Sequence, residues 1–338
     1  MISLNGKAST KWKLGNTSRE QILKTSIYEK GGRFLGAFNY YSNSFRYNKC
    51  DTVATYPETT ILHMVADSIN KVTLLNTNRQ LFKQGTNYFD WIPIESNLWS
   101  SVFSVEMDRN GLIFLTTWDG DLFKSLDHGE SWVKCNKPFP LYLYWFFFQV
   151  TSDGTLWASC WDNPLLFSRD GGITWTATNL PSNQQAIDAY YLSDGSFVIL
   201  TNNTRVMGSG DGGLNWIDLN VTGYPLNLFV SSNGDVLVVT QENGITIKKS
   251  VDRGDHFLPV YSAYPESRGT MGHCFYKKGD TYYVMIQHIG VVTTTDFVNF
   301  KKFWDNKKIF DLFMDHRGTL IATKFDRSNA YYFAVNPN

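Results

Sequence analysis

One eight-residue signature occurs four times in this chain of 338 residues: a serine, an aspartate two places on, a glycine two beyond that, and an aromatic at the eighth position. The copies are Ser125, Asp127, Gly129 and Trp132; Ser168, Asp170, Gly172 and Trp175; Ser209, Asp211, Gly213 and Trp216; and Ser250, Asp252, Gly254 and Phe257. They recur about every forty residues. A unit of that length cannot bury its own apolar face, so copies must stack on one another, and a period of this size is that of a β-propeller blade.

The chemistry of the signature is that of a tight turn. Serine and aspartate oxygens accept backbone N–H groups, glycine supplies the positive φ a turn demands, and the aromatic folds back over apolar surface. The pattern resembles the Asp-box, or BNR, repeat of sialidases and other β-propellers. In that family the boxes lie at the periphery, away from the ligand, so the resemblance implies a structural role for all sixteen signature residues.

A second repeat extends further. Turn pairs stand between apolar runs at Gly31 and Gly32, Ile69 and Asn70, Asn110 and Gly111, Asp153 and Gly154, Asp194 and Gly195, Asn233 and Gly234, Lys278 and Gly279, and Arg317 and Gly318. Asn-Gly and Asp-Gly between alternating hydrophobics are strong hairpin signals, and the flanking β-branched and aromatic residues favour strands. The expected fold is an all-β propeller of eight blades, each of four antiparallel strands, with seven as the alternative count. One domain spans 1–338, with blades starting near 21, 59, 101, 145, 186, 226, 271 and 309. Residues 1–19 form a closing segment, in which Thr10 to Leu14 supplies the outer strand the last blade lacks. Closure would remove the open edges of the array.

Outside the four intact copies the signature decays readably. Thr294, Asp296, Asn299 and Phe300 keep it one residue short and without the glycine, and Lys83 to Gly85 followed by Trp91 keeps only a turn and an aromatic.

Basic and acidic residues balance at 31 each, so nothing in the charge draws the chain to nucleic acid or an anionic membrane. No stretch reaches the roughly 18 to 20 apolar residues that span a bilayer, and the start from Met1 lacks the apolar core of a signal peptide. Cys50, Cys135, Cys160 and Cys274 have no metal-ligand spacing and read as free thiols, and the six histidines form no ligand-spaced pair. No cofactor and no metal are expected.

Function is sought on the loops around the channel mouth, where propeller ligands sit. Seven residues before each signature serine lies one such loop, giving Trp118 and Asp119, Trp161 and Asp162, Asn202 and Asn203, and Asn243 and Gly244. The corresponding loops of the first and last blades hold Tyr40 and Tyr41, and Phe325, Asp326 and Arg327. A Trp beside an Asp in neighbouring blades has the makings of a sugar platform; the plainer reading is that both tryptophans pack between sheets. The segment from Pro138 through Tyr142 and Tyr144 to Trp145 is a second aromatic candidate, fit for a protein contact.

The sialidase resemblance implies an Arg-Ile-Pro motif, three carboxylate-binding arginines, a Tyr nucleophile with its Glu, and an Asp acid/base. This chain has no Arg-Ile-Pro, and Arg79, Arg205, Arg268 and Arg327 are the arginines near loop ends. The reading is therefore of a binding or structural propeller rather than an enzyme, recognising a glycan or protein partner, as a phage virion or tail component or within another larger assembly. A sialidase-like glycoside hydrolase and a bacterial surface glycan-binding protein are the alternatives. The location expected is a virion, the cell surface or the extracellular space.

Overall fold

The computed structural model describes residues 21–28, 34–42, 51–57, 61–77, 80–85, 91–94, 101–108, 110–139, 145–151, 153–160, 163–181, 183–192, 194–263, 275–286, 289–304, 309–326 and 329–335. Every regular element among them is a strand. An N-terminal hairpin pairs β1 (Gln21–Tyr28) with β2 (Phe34–Ser42), and β3 (Asp51–Pro57) follows. Four-stranded antiparallel sheets then succeed one another in chain order. The first holds β4 (Ile61–Asp67), β5 (Val72–Thr77), β6 (Leu81–Gln84) and β7 (Trp91–Pro93). The second holds β8 (Val102–Met107), β9 (Ile113–Thr117), β10 (Leu122–Ser125) and β11 (Val133–Lys134). The third comprises β12 (Trp145–Val150), β13 (Leu156–Cys160), β14 (Leu166–Ser168) and β15 (Thr176–Ala177). The fourth comprises β16 (Ala186–Tyr191), β17 (Phe197–Thr201), β18 (Val206–Ser209) and β19 (Ile217–Asp218). In the fifth are β20 (Tyr224–Val230), β21 (Val236–Gln241), β22 (Ile245–Ser250) and β23 (Leu258–Ala263). In the sixth are β24 (Phe275–Lys278), β25 (Thr281–Ile286), β26 (Gly290–Thr294) and β27 (Lys301–Trp304).

The chain ends in β28 (Ile309–Met314), β29 (Leu320–Asp326) and β30 (Asn329–Val335), and β3 completes their sheet by pairing antiparallel with β30. First strands of neighbouring sheets lie side by side around an axis, and β28 against β4 closes the ring. The molecule is a β-propeller, but the expectation of eight regular blades, or of seven, is corrected. Six blades are each built from four consecutive strands, and the sheet that closes the ring is composite. The first sequence repeat makes only the β1–β2 hairpin, because the strand that follows it pairs with the far end of the chain. The closing strand is therefore β3, not residues 10–14, which lie outside the described residues.

The core lies between sheets, not at the centre. Leu74 and Leu81 of the first blade meet Val105, Ile113 and Phe123 of the second; Phe114 and Leu122 meet Phe148 and Leu156 of the third; Trp157 and Leu165 meet Phe197 and Ile199 of the fourth. At the closing interface Phe313 and Ile321 pack on Met64, Leu75 and Trp91. Second strands, covered on both faces, are buried throughout, as in β5, β9, β13 and β17. This is why they are mostly apolar, with the polar residues among them, such as Thr73, Asn76, Thr116 and Thr201, buried too. Cutting a core aromatic such as Trp157 to alanine typically costs about 3–5 kcal/mol.

The four signatures form one repeated turn. In each, the serine hydroxyl donates to the aspartate and accepts the glycine N–H, at 2.8 Å for Gly129, 2.9 Å for Gly172 and Gly213, and 2.7 Å for Gly254. The other aspartate oxygen accepts from the seventh residue, whether Ser131, Thr174, Asn215 or His256. Side-chain and backbone donors from Ser131 hold the Asp127 carboxyl down to about 2, and the same arrangement from Thr174 keeps Asp170 well below its ordinary range. The seventh position is thus a fixed polar site that the spacing rule left open.

These turns are joints between blades as much as staples within them. A Cβ on Gly213 would meet Thr178 Cγ2 at 2.8 Å, and one on Gly254 would meet Leu219 Cδ1 at 2.5 Å, in both cases a residue of the preceding blade. Asn136 and Asn179, at equivalent places, donate across the second–third and third–fourth joints to Ile173 O (2.9 Å) and Leu214 O (3.0 Å). The signature aromatics Trp132, Trp175, Trp216 and Phe257 pack into these inter-blade clusters. In the sixth blade Phe297 takes the glycine's place at φ 53°, donating its N–H to Thr294 Oγ1 and burying its ring against Phe229 of the blade before.

Candidate functional site: the channel mouth

The loop joining second to third strands in the second blade is built to hold Trp118 still. Thr117 N–H donates to Asp121 O, Gly120 N–H to Thr117 O, and Asp121 N–H to Thr117 Oγ1. Asp121 is paired with Lys134 at 2.8 Å and Lys137 at 2.6 Å, and Lys137 also reaches Asp119 O. Burial raises the Asp121 carboxyl, but the two ammonium groups outweigh it and hold it below its usual range. On this turn Trp118 is 42% exposed, its ring edge-on to Phe103 at 4.9 Å and its N–H bonded to Ser101 O. Asp119 beside it faces solvent.

The fourth blade uses the same strut with its charges exchanged. Arg205 stands where Asp121 does and Asp218 where Lys134 does, 3.0 Å apart. Arg205 is thereby engaged within its own blade. In the adjoining loop Asn202 exchanges hydrogen bonds with Gln185, and Asn203 donates to Asn183 O.

Other sequence candidates fall differently. Tyr40 and Tyr41 are not in a loop: both lie within β2, opposite Leu23 and Ile22. Trp145 opens the inner strand β12 opposite Cys160, and Phe139, from the same aromatic segment, is buried in the cluster between second and third blades. Trp161, Asp162, Tyr142, Tyr144, Arg268 and Arg327 lie outside the described residues. Cys135 and Cys160 both carry thiols and are not joined in a disulfide. Among the described residues no three His, Cys, Asp or Glu side chains converge as a metal site, and no helix is long and apolar enough to cross a membrane.

Sequence reasoning missed the floor of the mouth. Six inner strands carry a register shift after their first or second residue, at Ile61/His63, Val102/Ser104, Trp145/Phe147, Ala186/Asp188, Pro225/Asn227 and Ile309/Asp311. A bulge re-aims the residue after it. It places His63, Ser104, Phe147, Asp188, Asn227 and Asp311 at one level around the axis, with Glu106 and Gln149 two residues deeper. Four of the polar ones, His63, Glu106, Gln149 and Asp188, reach the next blade's inner strand. His63 Nδ1 lies 2.6 Å from Val105 O, Glu106 accepts from Val150 N–H, Gln149 accepts from Ala189 N–H at 3.0 Å, and Asp188 accepts from Leu228 N–H. Burial pushes both Glu106 and Asp188 up to about 8, and for Glu106 the Asp188 charge adds to the effect. Polar residues near the start of most inner strands, His63, Ser104, Asp188, Asn227 and Asp311, are visible in the sequence, but there they look like ordinary strand alternation.

No family model matches the chain, and no curated protein matches it in sequence. Solved structures do match in fold. YCF48 bound to D1 peptide is 14% identical with a TM-score of 0.63, over 87% of this chain and 99% of that one. A catalytically inactive virginiamycin B lyase from Staphylococcus aureus with quinupristin is 9% identical at TM-score 0.63, over 94% and 100%. The extracellular domain of the hybrid two component system BT4673 from B. thetaiotaomicron is 12% identical at TM-score 0.64, over 93% of this chain and 46% of that one. At such identities the likeness is one of fold alone, that of a β-propeller.

Proposed function

We propose that this chain is a binding propeller, not an enzyme, that takes a protein or glycan partner on the channel-mouth loops around Trp118 and Asp119. The observation that carries the reading is the half-exposed Trp118 on a turn braced by two lysine–aspartate pairs and an edge-on phenylalanine. A large aromatic held rigid at a surface offers contact area with little further loss of conformational freedom on binding. Asp119 supplies an acceptor for a sugar hydroxyl or a peptide N–H beside that ring. The engagement of Arg205 by Asp218 removes one arginine that a sialidase-like carboxylate clamp would need.

Two finer readings belong with it. The four signatures are Asp-boxes in the sense of the BNR repeat, and their place at the blade joints supports a structural role for all of them. The protein works outside the cell, at a surface or as part of a virion. That YCF48 was solved bound to D1 peptide and that the BT4673 domain is extracellular support this reading. A glycan array and a displayed peptide library, each probed with wild type and Trp118→Ala, test the proposal. At least one ligand class is expected to bind and to weaken about tenfold or more in the variant, the loss of a contact of about 1.4 kcal/mol. Binding that ignores the substitution, or no binding in either screen, overturns it.

A further inference from the structure

The free edge of an inner strand is an exposed row of backbone donors and acceptors that a propeller must satisfy at its axis. Here side chains of the preceding blade supply partners, one step at a time. Glu106 on β8 takes Val150 N–H of β12, Gln149 on β12 takes Ala189 N–H of β16, and Asp188 on β16 takes Leu228 N–H of β20. Gln149 also donates to Asp188, and Ser104 bonds Glu106, so four inner strands are tied in series. Two of the three acceptors are carboxyls within electrostatic reach of each other.

We propose that Glu106 and Asp188 form a proton-operated latch on the propeller axis: carrying their protons they hold the inner strands β8, β12, β16 and β20 together, and on losing them they let these strands part. A protonated carboxyl still accepts an N–H through its carbonyl oxygen while adding no charge. Ionising both places two negative charges in a confined space, where like charges and lost hydration each oppose ionisation. On β4, His63 Nε2 lies 3.5 Å from Glu106 Oε1 while its Nδ1 bonds Val105 O at 2.6 Å, and the neighbouring inner strands β12 and β20 bring the amides of Gln149 and Asn227 rather than charged groups. Lys277 of β24 is turned to Ser232 Oγ at 2.7 Å and over the Tyr282 ring. Glu106 keeps 15% of its side-chain surface accessible though protein surrounds it, so the released proton has a route to solvent.

The direction follows from linkage. Both carboxyls are held near 8 in the folded ring against about 4 in an opened one, so the closed ring binds more protons, and its stability is full at low pH and falls as pH rises toward 8. Amide hydrogen exchange at Val150, Ala189 and Leu228, corrected for base catalysis, reads the latch without any ligand. Protection should fall between pH 6 and 8 by roughly tenfold per pH unit for each proton released, then level off. In Glu106→Gln/Asp188→Asn, which keeps every acceptor but cannot ionise, protection should not change with pH. Equal slopes in wild type and variant overturn the proposal. Should the double variant fail to fold, carbon-detected titration of the wild-type carboxyls decides it: midpoints near 8 support the latch, and midpoints near 4 sink it.

Discussion

His316 and Thr73, 243 residues apart in the chain, share two hydrogen bonds across the seam where the ring closes. His316 N–H donates to Thr73 Oγ1 at 2.9 Å, and Thr73 Oγ1 stands 2.7 Å from His316 Nδ1. A threonine hydroxyl can accept the backbone N–H and donate its own proton to Nδ1 at once, so the contact is satisfied by a neutral ring whose proton is on Nε2, and equally by a ring that donates from Nδ1. Beside this contact Arg317 donates to Gly85 O at 3.0 Å and Gln84 to Asp315 at 3.3 Å. Thr73→Val should leave His316 N–H without its acceptor and destabilise the fold by about 1–3 kcal/mol in urea titration. An unchanged midpoint would show the seam held by β3 alone.

The imidazole of His316 should titrate below the usual histidine value and that of His256 above it. Burial, aided by Arg317, lowers the first; the Asp252 hydrogen bond and charge raise the second. A lowered pKa means that His316 contributes stability above about 6.5, lost as the pH falls and the unfolded ring takes up its proton first. His256 contributes in the opposite sense, fully at low pH and lost as pH rises through its raised value. Proton NMR of the two Hε1 resonances gives both midpoints at once, and a shared midpoint near 6.5 would refute both assignments.

Adjacent glycines in the third signature separate backbone strain from packing. Gly212 has φ 76° with nothing within 4 Å of where a methyl group would stand, whereas Gly213 has φ 88° and Thr178 Cγ2 at 2.8 Å from that position. Gly212→Ala should cost about 1–2 kcal/mol from the left-handed backbone. Gly213→Ala should cost that and about 1–3 kcal/mol more for overpacking, with part regained in a Thr178→Ala background. Equal costs would deny the blade-joint role.

Arg205 and Asp218 mirror Asp121 and Lys134 with charges exchanged, which marks the pair as a strut indifferent to polarity. Arg205 is exposed and Asp218 half-buried at the surface, so Arg205→Ala should change stability by no more than about 1 kcal/mol, and Arg205→Asp with Asp218→Lys should restore wild-type stability within about 0.5 kcal/mol. Chemical denaturation of the three proteins checks this.

Much of this fold was legible because each blade announces itself locally. Expected blade starts at 101, 145, 186, 226 and 309 lie within two residues of the first strands β8, β12, β16, β20 and β28, since a turn followed by an apolar run is a short-range signal. What the sequence hid was non-local. Nothing in Asp51 to Pro57 says that its partner is β30 and not the adjacent hairpin, and so the count of blades went astray. The site was hidden for a related reason. Glu106 and Asp188 look like the polar half of a strand alternation, and only the ring brings the next blade's N–H groups to them. The place of Trp118 on the loop after β9 can be read from its spacing to Ser125, whereas the engagement of Arg205 depends on a partner on another strand.

The composite sheet imposes an order on how the ring is made. As the chain leaves the ribosome, the six blades from β4 to β27 can each pair as soon as their strands emerge, but β3 waits, its edge unpaired, until β30 has been synthesised. Contacts of such sequence separation are slow to form, and an unpaired strand edge is open to pairing with another chain. Closure is therefore the last event of folding and the first place where a nascent or truncated copy would exchange strands with its neighbour.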